Sequence, residues 1–463
     1  MIALLGSITL IAVVVRLTER LAVSPWEPAI AMEAARLNAG LPLYEAGHAT
    51  HMYGPLLTVL LAEIFRVTGL NLLAGRIGFS IFAFALAFLL SAILCRGSSR
   101  RYWFVAFALF LGVNLRTNLI FLSAQPDCVA ALFAVGGLYL WAERRDSLLR
   151  SACAIGLFVC AVLFKQTSAA FALIPIVYVL IWKRGLQNLF ASLIPALSIL
   201  VTLGIIRFIW PQVFHAMITV PGSIEVNYGH VPLITGYLIA TFPIFLIALL
   251  AKRFSRDVTD ERERWIWAAM TVLVPASIWT TCKSGGGYSS LLVSYLAMTA
   301  FFVVKLDSIL EWMAALRGWR SFLAASGLAL AILFSFLVQV DRDLALLFLR
   351  CGDEKYETAV DFARRTPDRI ISPQDPTIAY RGAGYFGRSL FFELDAHAVN
   401  GNWPSELPES MQREVAEAKY VVQVRSYVPT PMFEQALVKD HFYPMDFVAL
   451  RGSVYTLWTR GPE

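Results

Sequence analysis

The chain alternates long apolar runs with short charged connections. Five runs without Asp, Glu, Lys or Arg are each long enough to cross about 30 Å of hydrocarbon as a helix, at residues 77–95, 187–206, 265–282, 284–304 and 321–340. Shorter apolar runs lie at 1–15, 102–115, 128–142, 151–164, 166–182 and 231–251. The pattern predicts a polytopic α-helical membrane protein with about eleven transmembrane helices. Composition agrees, because 58% hydrophobic and 16% charged residues leave too little polar surface for a soluble globule of 463 residues.

Basic residues predict the orientation, because Lys and Arg in short connections stay on the cytoplasmic side. One alternating set of connections carries most of them, namely Arg96, Arg100, Arg101, Arg144, Arg145, Arg150, Lys183, Arg184, Lys252, Arg253, Arg256, Arg262, Arg264, Lys305, Arg317 and Arg320. The other set is predicted to face outward, at 16–76, 116–127, around Lys165, 207–230 and around Lys283. We therefore attribute the net charge of +6 to membrane orientation and expect no nucleic-acid partner.

Two regions depart from the short connections, and they define the predicted domains. The first is the outer loop at 16–76, inside a transmembrane module at 1–340. Within this loop, residues 28–38 and 56–67 predict helices that lie at the membrane surface, with Glu33 and Arg36 on an exposed polar face of the first. The second region, 341–463, predicts a small extracytoplasmic α/β domain.

The C-terminal region has higher charge density and apolar runs of strand length. Residues 369–372, 420–424 and 453–459 are rich in β-branched or aromatic residues and predict strands. Residues 355–364 and 409–418 predict helices. This pattern does not indicate a function for the domain.

The six cysteines, at 95, 128, 153, 160, 282 and 351, have neither a disulfide framework nor metal-ligand spacing. We therefore expect small apolar packing residues. His48, His51, His215 and His230 are predicted to be solvated loop histidines, and no metal site is predicted from them.

Several short motifs follow one another in an order that resembles a known family. They are Trp26-Glu27-Pro28, Ala35-Arg36-Leu37 with Gly40 and Tyr44, Tyr53-Gly54-Pro55-Leu56, Gly75-Arg76, Gln125-Pro126-Asp127 and Phe164-Lys165-Gln166-Thr167. The order resembles the polyprenol-phosphate-sugar-dependent glycosyltransferases of the C superfold, and more narrowly the bacterial relatives of protein mannosyltransferases and aminoarabinose transferases. The resemblance covers about the first 170 residues. Residues 180–340 agree mainly in the arrangement of spans and in Lys283-Ser-Gly-Gly-Gly.

The resemblance implies inverting transfer of a sugar from a polyprenyl-phosphate carrier to an acceptor hydroxyl at the outer membrane face. Such a reaction needs a carboxylate to accept the hydroxyl proton, and cations beside the departing phosphate. Glu27 stands where the family carries its first-loop acid, usually Asp, and is the predicted general base. A first-turn helix charge is its structural alternative.

The other site residues fall into three groups. Asp127 is predicted to support catalysis, and it could equally serve as a helix N-cap. Lys165, Arg76, Lys283 and Arg116 are predicted to bind the donor phosphate, although lysines at span ends also snorkel for structural reasons. Glu33, Tyr53, Gln125 and Gln166 are predicted to line the substrate cavity. Gln125 replaces the Arg that the family usually has there.

The expected partners are the lipid-linked sugar donor, membrane lipid and a glycan, lipid or protein acceptor. No cofactor is certain, because a pair of outer carboxylates could either hold a divalent cation or act alone. The expected location is a bacterial cytoplasmic membrane, with the site facing the periplasm or exterior. Two alternatives stay open: a flippase or transporter for a lipid-linked sugar, and a non-catalytic scaffold of the same fold for envelope assembly, which the loss of the basic residue at Gln125 would favour.

Overall fold

The computed structural model of the chain describes residues 1–18, 22, 24–45, 47–97, 100–117, 119–143, 147–254, 259–283, 287–338, 353–398, 403–425 and 430–461. These residues are mostly helical, and one four-stranded sheet lies in the C-terminal region. Cys351 and most of the Ser-Gly-Gly-Gly sequence after Lys283 lie outside the described residues. The five cysteines that are described are free thiols.

The first part of the chain folds into a bundle of apolar helices. In chain order they are α1 (Ile2–Thr18), α2 (Trp26–Asn38), α3 (Pro55–Thr68), α4 (Leu72–Leu94), α5 (Arg100–Arg116), α6 (Asp127–Ala142), α7 (Leu148–Phe164), α8 (Gln166–Lys183), α9 (Leu186–Ile209), α10 (His230–Ala240), α11 (Pro243–Phe254), α12 (Glu261–Thr281), α13 (Leu292–Val304), α14 (Leu306–Ala315) and α15 (Trp319–Leu337). Short helical turns at Pro211–Phe214, His215–Thr219 and Val220–Ser223 follow α9.

Length and composition decide which of these helices can cross a membrane. Among the described residues, α4, α8, α9 and α15 are long and apolar enough. The bent pairs α10–α11 and α13–α14 raise the number from 4 to 6 if each pair is one span. The other apolar helices α1, α6 and α7 are shorter. The helices thus support a multi-pass membrane protein, whereas the predicted count of about eleven spans is not confirmed.

The connections of the bundle meet at two opposite ends. At one end Arg262 donates to the carbonyl oxygens of Leu94 and Arg96, at 3.1 and 2.8 Å. Glu263 accepts there from Lys252 and Lys305, at 3.0 and 2.8 Å. These residues belong to the connections that are rich in basic residues. The first loop, the start of α6 and the end of α7 lie at the other end.

The first loop is more deeply buried than predicted. On α2, Glu33 is 3% and Arg36 is 8% exposed, so the expectation of an exposed polar face on a surface helix is wrong. The reason is that α2 packs against α3, α4 and the C-terminal region on several sides. On α3, Glu63 and Arg66 do remain exposed and pair at 2.8 Å.

Gly54 fixes the loop against the end of α7. A Cβ at this position would lie 1.9 Å from the carbonyl oxygen of Leu163, which is far below van der Waals contact. The Gly54 N–H donates to the carbonyl oxygen of Phe164 at 3.3 Å. Pro55 then starts α3 at its first position, where a missing N–H is harmless.

The C-terminal region folds as helices around a sheet. Its helices are α16 (Asp353–Arg365), α17 (Pro376–Ala383), α18 (Leu390–Ala396), α19 (Glu409–Glu417) and α20 (Thr430–Lys439), and its strands are β1 (Ile370–Ile371), β2 (Tyr420–Val424), β3 (Phe442–Met445) and β4 (Tyr455–Arg460). The order is β1-β2-β4-β3, with β1 parallel to β2 and the other pairs antiparallel. Apolar clusters cover both faces.

The predicted strands and helices of this region coincide with β1, β2, β4, α16 and α19 to within a few residues. Sequence reasoning missed β3. This strand contains Pro444, which cannot donate to a ladder, and it is tolerated because β3 is an edge strand. A proline inside a short run of residues gives little sequence signal for a strand.

The C-terminal region rests on α2 and on the tip of the first loop. Asp395 accepts from the indole N–H groups of Trp26 (3.4 Å) and Trp403 (2.9 Å). Arg388 donates to the carbonyl oxygen of Gly47 at 2.9 Å. Phe392 is buried in the apolar cluster that α2 forms with α3. Polar and apolar contacts therefore join the two parts.

The stability of this contact is predicted to fall as pH rises. Burial raises the pKa of Asp395 to about 6 and that of Asp375, the N-cap of α17, also to about 6. Because both carboxyls ionise more easily in the unfolded chain, their contribution to stability is fully present below about pH 4 and is lost as pH rises through about 6. Limited proteolysis of the C-terminal region should be slower at about pH 5 than at about pH 8. Asp395→Asn should flatten this dependence and exposed Asp368→Asn should not; faster proteolysis at low pH would contradict the assignment.

Gly54→Ala should displace the first loop, because the new methyl group overlaps the Leu163 carbonyl oxygen. We expect a clear drop in thermal unfolding temperature of the purified protein. Gly54 has φ −76°, which any residue adopts, so the expected effect comes from overlap alone. Gly222→Ala is the control, because Gly222 also lies in a connection between long helices and has no atom within 4 Å of its absent Cβ. Equal unfolding temperatures of the two variants would contradict the overlap with Leu163.

Candidate active site

A carboxylate and an ammonium group meet where α6 begins and α7 ends. Asp127 is the first residue of α6, where a carboxylate is favoured by the free N–H groups of the helix. Lys165 follows the last residue of α7. The Lys165 ammonium donates to Asp127 Oδ1 at 2.6 Å. Both side chains are largely buried, at 5% and 12% exposure.

The second carboxylate oxygen, Asp127 Oδ2, is buried and has no hydrogen-bond partner among the described residues. A buried acceptor without a donor is costly unless a ligand or water supplies one. Asp127 and Lys165 both line a small pocket of about 30 Å³. Hydroxyl side chains form much of its wall, namely Thr167, Ser168, Ser277, Thr280, Ser289 and Ser290. Sequence reasoning missed them, because Ser and Thr inside apolar runs give no separate signal.

Glu27 and Arg76 form a second ion pair. Arg76 Nε and Nη2 donate to the two carboxylate oxygens of Glu27, at 2.6 and 2.8 Å. A third guanidinium nitrogen donates to the carbonyl oxygen of Arg16 at 3.3 Å. Both side chains are at most 1% exposed. The pair therefore joins α2 to α4 and to the end of α1, and both oxygens of the predicted base are engaged.

Tyr53, in the first loop, lies next to Lys165. Its ring centroid is 5.9 Å from the Lys165 ammonium, and its carbonyl oxygen accepts from the Tyr44 hydroxyl at 2.7 Å. Burial, reinforced by the charge of Asp127, raises the pKa of Tyr53. The phenol is therefore neutral and available for a cation–π contact.

His51 is buried, contrary to the expectation of a solvated loop residue. Its Nδ1 accepts from the Tyr53 backbone N–H at 3.2 Å, which leaves Nε2 to donate to the Thr58 hydroxyl. Burial lowers the pKa of His51 to about 4. It is thus a neutral structural residue of the loop.

His48 was also expected to be solvated, but its Nε2 lies 2.8 Å from Glu33 Oε1. Thr50 donates to Glu33 Oε2 at 3.4 Å. The side chains of Glu33 and His48 are 4% and 8% exposed. Their spacing of fifteen residues follows no recognised motif, so the pair could not be read from sequence. His215 and His230 are exposed, as predicted.

The two predicted glutamines lie beside these pairs. Gln125 is 4% exposed and precedes α6. Gln166 donates to the carbonyl oxygen of Met52 at 3.0 Å, and its own side-chain oxygen has no partner among the described residues. Gln166 therefore attaches the first loop to the start of α8.

The predicted phosphate-binding cations have different partners. Arg116 is fully buried beside Tyr237 and Tyr295, and it donates to Thr241 at 2.5 Å and to the Tyr295 hydroxyl at 3.0 Å. Lys283 donates to the Pro221 carbonyl oxygen at 2.5 Å, and burial lowers its pKa. Of the four cations, Lys165 alone lines either cavity described here, within the described residues. The phosphate role of the others stays a prediction.

A second, larger cavity of about 940 Å³ lies on the far side of the first loop. Its walls come from the loop tip with His48 and Met52, from the turns after α9 with His215, and from the C-terminal region with Arg388. Neither Glu27 nor Asp127 lines it. In the described part of the chain, no group of three or more His, Cys, Asp or Glu side chains could hold a metal ion.

Sequence comparison finds no match: neither a protein-family profile nor a curated protein sequence matches the chain. Solved structures do match over most of its length. ArnT from Cupriavidus metallidurans bound to undecaprenyl phosphate has a TM-score of 0.59 at 14% identity, covering 100% of this chain and 99% of that one.

Archaeal oligosaccharyltransferase AglB from Archaeoglobus fulgidus, in complex with an inhibitory peptide and a dolichol-phosphate, has a TM-score of 0.53 at 12% identity, covering 93% of this chain and 70% of that one. The Archaeoglobus fulgidus oligosaccharyltransferase in complex with Zn and sulfate matches with a TM-score of 0.52 at 13% identity, covering 93% and 69%. At these identities the likeness concerns the fold. The chain shares the fold of these transferases, which is the fold that the sequence resemblance implied.

Proposed function

We propose that the chain transfers a sugar from a polyprenyl-phosphate carrier to an acceptor hydroxyl, with inversion, at the outer face of a bacterial cytoplasmic membrane. The observation that carries the proposal is the unpartnered oxygen of Asp127 beside the Lys165 ammonium in a hydroxyl-lined pocket. Two structures of the same fold hold lipid phosphates: undecaprenyl phosphate in ArnT and dolichol-phosphate in AglB.

Asp127 is the proposed general base. The acceptor oxygen attacks the anomeric carbon on the face opposite the phosphate, and the bond from that carbon to the phosphate oxygen breaks. The acceptor proton passes to Asp127 Oδ2, and polyprenyl phosphate leaves. A carboxylate suits this role when it has a free oxygen, is close to the reacting hydroxyl and is shielded from water.

Lys165 is the proposed partner of the leaving phosphate. An ammonium has three N–H donors, and Asp127 Oδ1 occupies one of them at 2.6 Å. A remaining donor directed at a phosphate oxygen would stabilise the negative charge that grows as the bond breaks. The tyrosine ring below the ammonium keeps it in position.

Glu27 takes a positioning role in this proposal in place of the predicted catalytic one. Its two oxygens accept from Arg76, and it lines neither described cavity. A base that must first break a buried bidentate pair would lose much of its advantage. The pair instead holds α2 and the first loop on the bundle. No step is assigned to a divalent cation.

The first test is Asp127→Asn in purified protein in detergent. Radiolabelled polyprenyl-phosphate sugars and envelope extract from cells that lack the protein supply donor and acceptor, and release of polyprenyl phosphate is measured. We expect release to fall by about 100-fold to 10,000-fold. Loss of the anion beside Lys165 should also lower the unfolding temperature, but by less than in Glu27→Gln, because the Lys165 side chain is 12% exposed and Arg76 is fully buried. Exposed Asp368→Asn is the control. Full activity in Asp127→Asn would remove Asp127 as the base.

The second test separates positioning from catalysis at Glu27. Glu27→Gln leaves Arg76 buried without its anion, which should lower the free energy of unfolding by about 3–5 kcal/mol. We expect both stability and transfer to fall, and Glu27→Asp to restore part of both. Glu63→Gln, an exposed acid of the same loop, should change neither. A Glu27→Gln protein that keeps wild-type stability and loses all transfer would return the catalytic role to Glu27.

A further inference from the structure

The large cavity is enclosed by three separate parts of the chain. The first loop contributes Arg36 and His48, the turns after α9 contribute Ala216, and the C-terminal region contributes Arg388 and Ala396. Its volume of about 940 Å³ is enough for an oligomeric ligand. The proposed function above places a donor and a base on the other side of the loop and leaves this cavity without a role.

The cavity is charged but balanced. Four arginines and five glutamates line it among the described residues. Every one of the four arginines has a glutamate partner: Arg36 with Glu45 at 3.3 Å, Arg388 with Glu393 at 2.7 Å, Arg413 with Glu409 at 2.6 Å, and Arg369 with Glu417. The fifth glutamate, Glu414, accepts from the Arg388 backbone N–H, and burial raises its pKa to about 7. Glu414 is therefore only partly ionised near neutral pH.

This balance selects among ligand classes. A phosphate or carboxylate ligand needs cations whose charge is not already compensated, and the lining arginines lack that property. A lipid tail would have to bury these charged groups against hydrocarbon, which is unfavourable. Hydroxyl groups, in contrast, both donate and accept, so they can bond to the spare lone pairs of the carboxylates and the spare N–H groups of the guanidinium ions.

The cavity also lies close to the proposed catalytic pair. Met52 lines the cavity, and its carbonyl oxygen accepts from Gln166, the neighbour of Lys165. The next residue, Tyr53, lies against the Lys165 ammonium. One layer of the first loop thus separates the cavity from Asp127 and Lys165. The Glu33–His48 pair lies at the same wall, and His48 lines the cavity.

We propose that this cavity binds an uncharged, hydroxyl-rich glycan, at a site beside the catalytic pair and separate from it. The inference goes beyond the proposed function, because the binding of a neutral glycan to these walls can be tested by itself.

The experiment uses the full-length protein in detergent and two filled variants, Ala216→Trp and Ala396→Trp, which narrow the cavity from two separate parts of the chain and remove no charge. The control is Val448→Trp, at an exposed position outside the cavity. Calorimetric titration uses short neutral oligomers of glucose, mannose, galactose and N-acetylglucosamine, an oligogalacturonate and an uncharged peptide. We expect at least one neutral oligomer to bind, and to bind more weakly by about tenfold or more in both filled variants but not in Val448→Trp.

Three outcomes overturn the inference: no neutral oligomer binds, the filled variants bind it as well as wild type, or the oligogalacturonate or the peptide binds more tightly and is the ligand that the filled variants lose. Donor turnover is measured on the same preparations. A wild-type protein that binds the neutral glycan but releases no polyprenyl phosphate from any donor would contradict the proposed function and leave the glycan site standing. A protein that releases polyprenyl phosphate from a donor but binds no neutral glycan would contradict the glycan site and leave the proposed function standing.

Discussion

The buried ion pair between Glu27 and Arg76 is the constraint on which the rest of the structure depends. Charges that leave water must be matched in full, and the bidentate geometry of 2.6 and 2.8 Å does this for both side chains. The pair fixes α2 against α4. Since α2 carries Glu33 and contacts the C-terminal region, its position determines the first loop, the loop's histidines and the surface on which the sheet region rests.

Other buried carboxylates of the chain are paired in a similar way. Asp127 accepts from Lys165, and Glu33 lies in hydrogen-bond contact with His48. Glu263, at the opposite end of the bundle, accepts from Lys252 and Lys305. In each case a carboxylate has a hydrogen-bonding partner from another part of the chain. What distinguishes Asp127 is its second oxygen, which is buried without a partner among the described residues. An incomplete match in an otherwise complete set is a good indication of where chemistry occurs.

Much of the helical architecture could be predicted, because apolar runs between charged connections are a long-range pattern that one sequence displays directly. The fold shared with the matching transferases could also be predicted, from short motifs spread over about the first 170 residues. The partners of individual side chains could not. Glu27 and Arg76 are 49 residues apart, and Asp127 and Lys165 are 38 apart. Nothing local in the sequence says which cation meets which anion, and of the four cations predicted to bind phosphate, Lys165 is the one that lines a described cavity.

The histidines illustrate the same limit in another way. A histidine in a loop is usually solvated, yet His51 lies under its own loop and His48 pairs with a carboxylate on α2. Both result from the burial of α2, which an amphipathic pattern on a membrane surface did not suggest. A helix that has polar residues on one face can bury that face when another part of the chain supplies matching groups.

Met52 and Tyr53 form a thin layer between the large cavity and the Asp127–Lys165 pair. Ligands bound on its two sides would therefore be coupled. A ligand pressed against one side of a single layer of chain changes the freedom of that layer, and the opposite side responds. Thermodynamic linkage then requires the coupling to be mutual: each ligand changes the affinity of the other by the same factor. The strength of this coupling would then depend on the stiffness of two residues, without any hinge or lid.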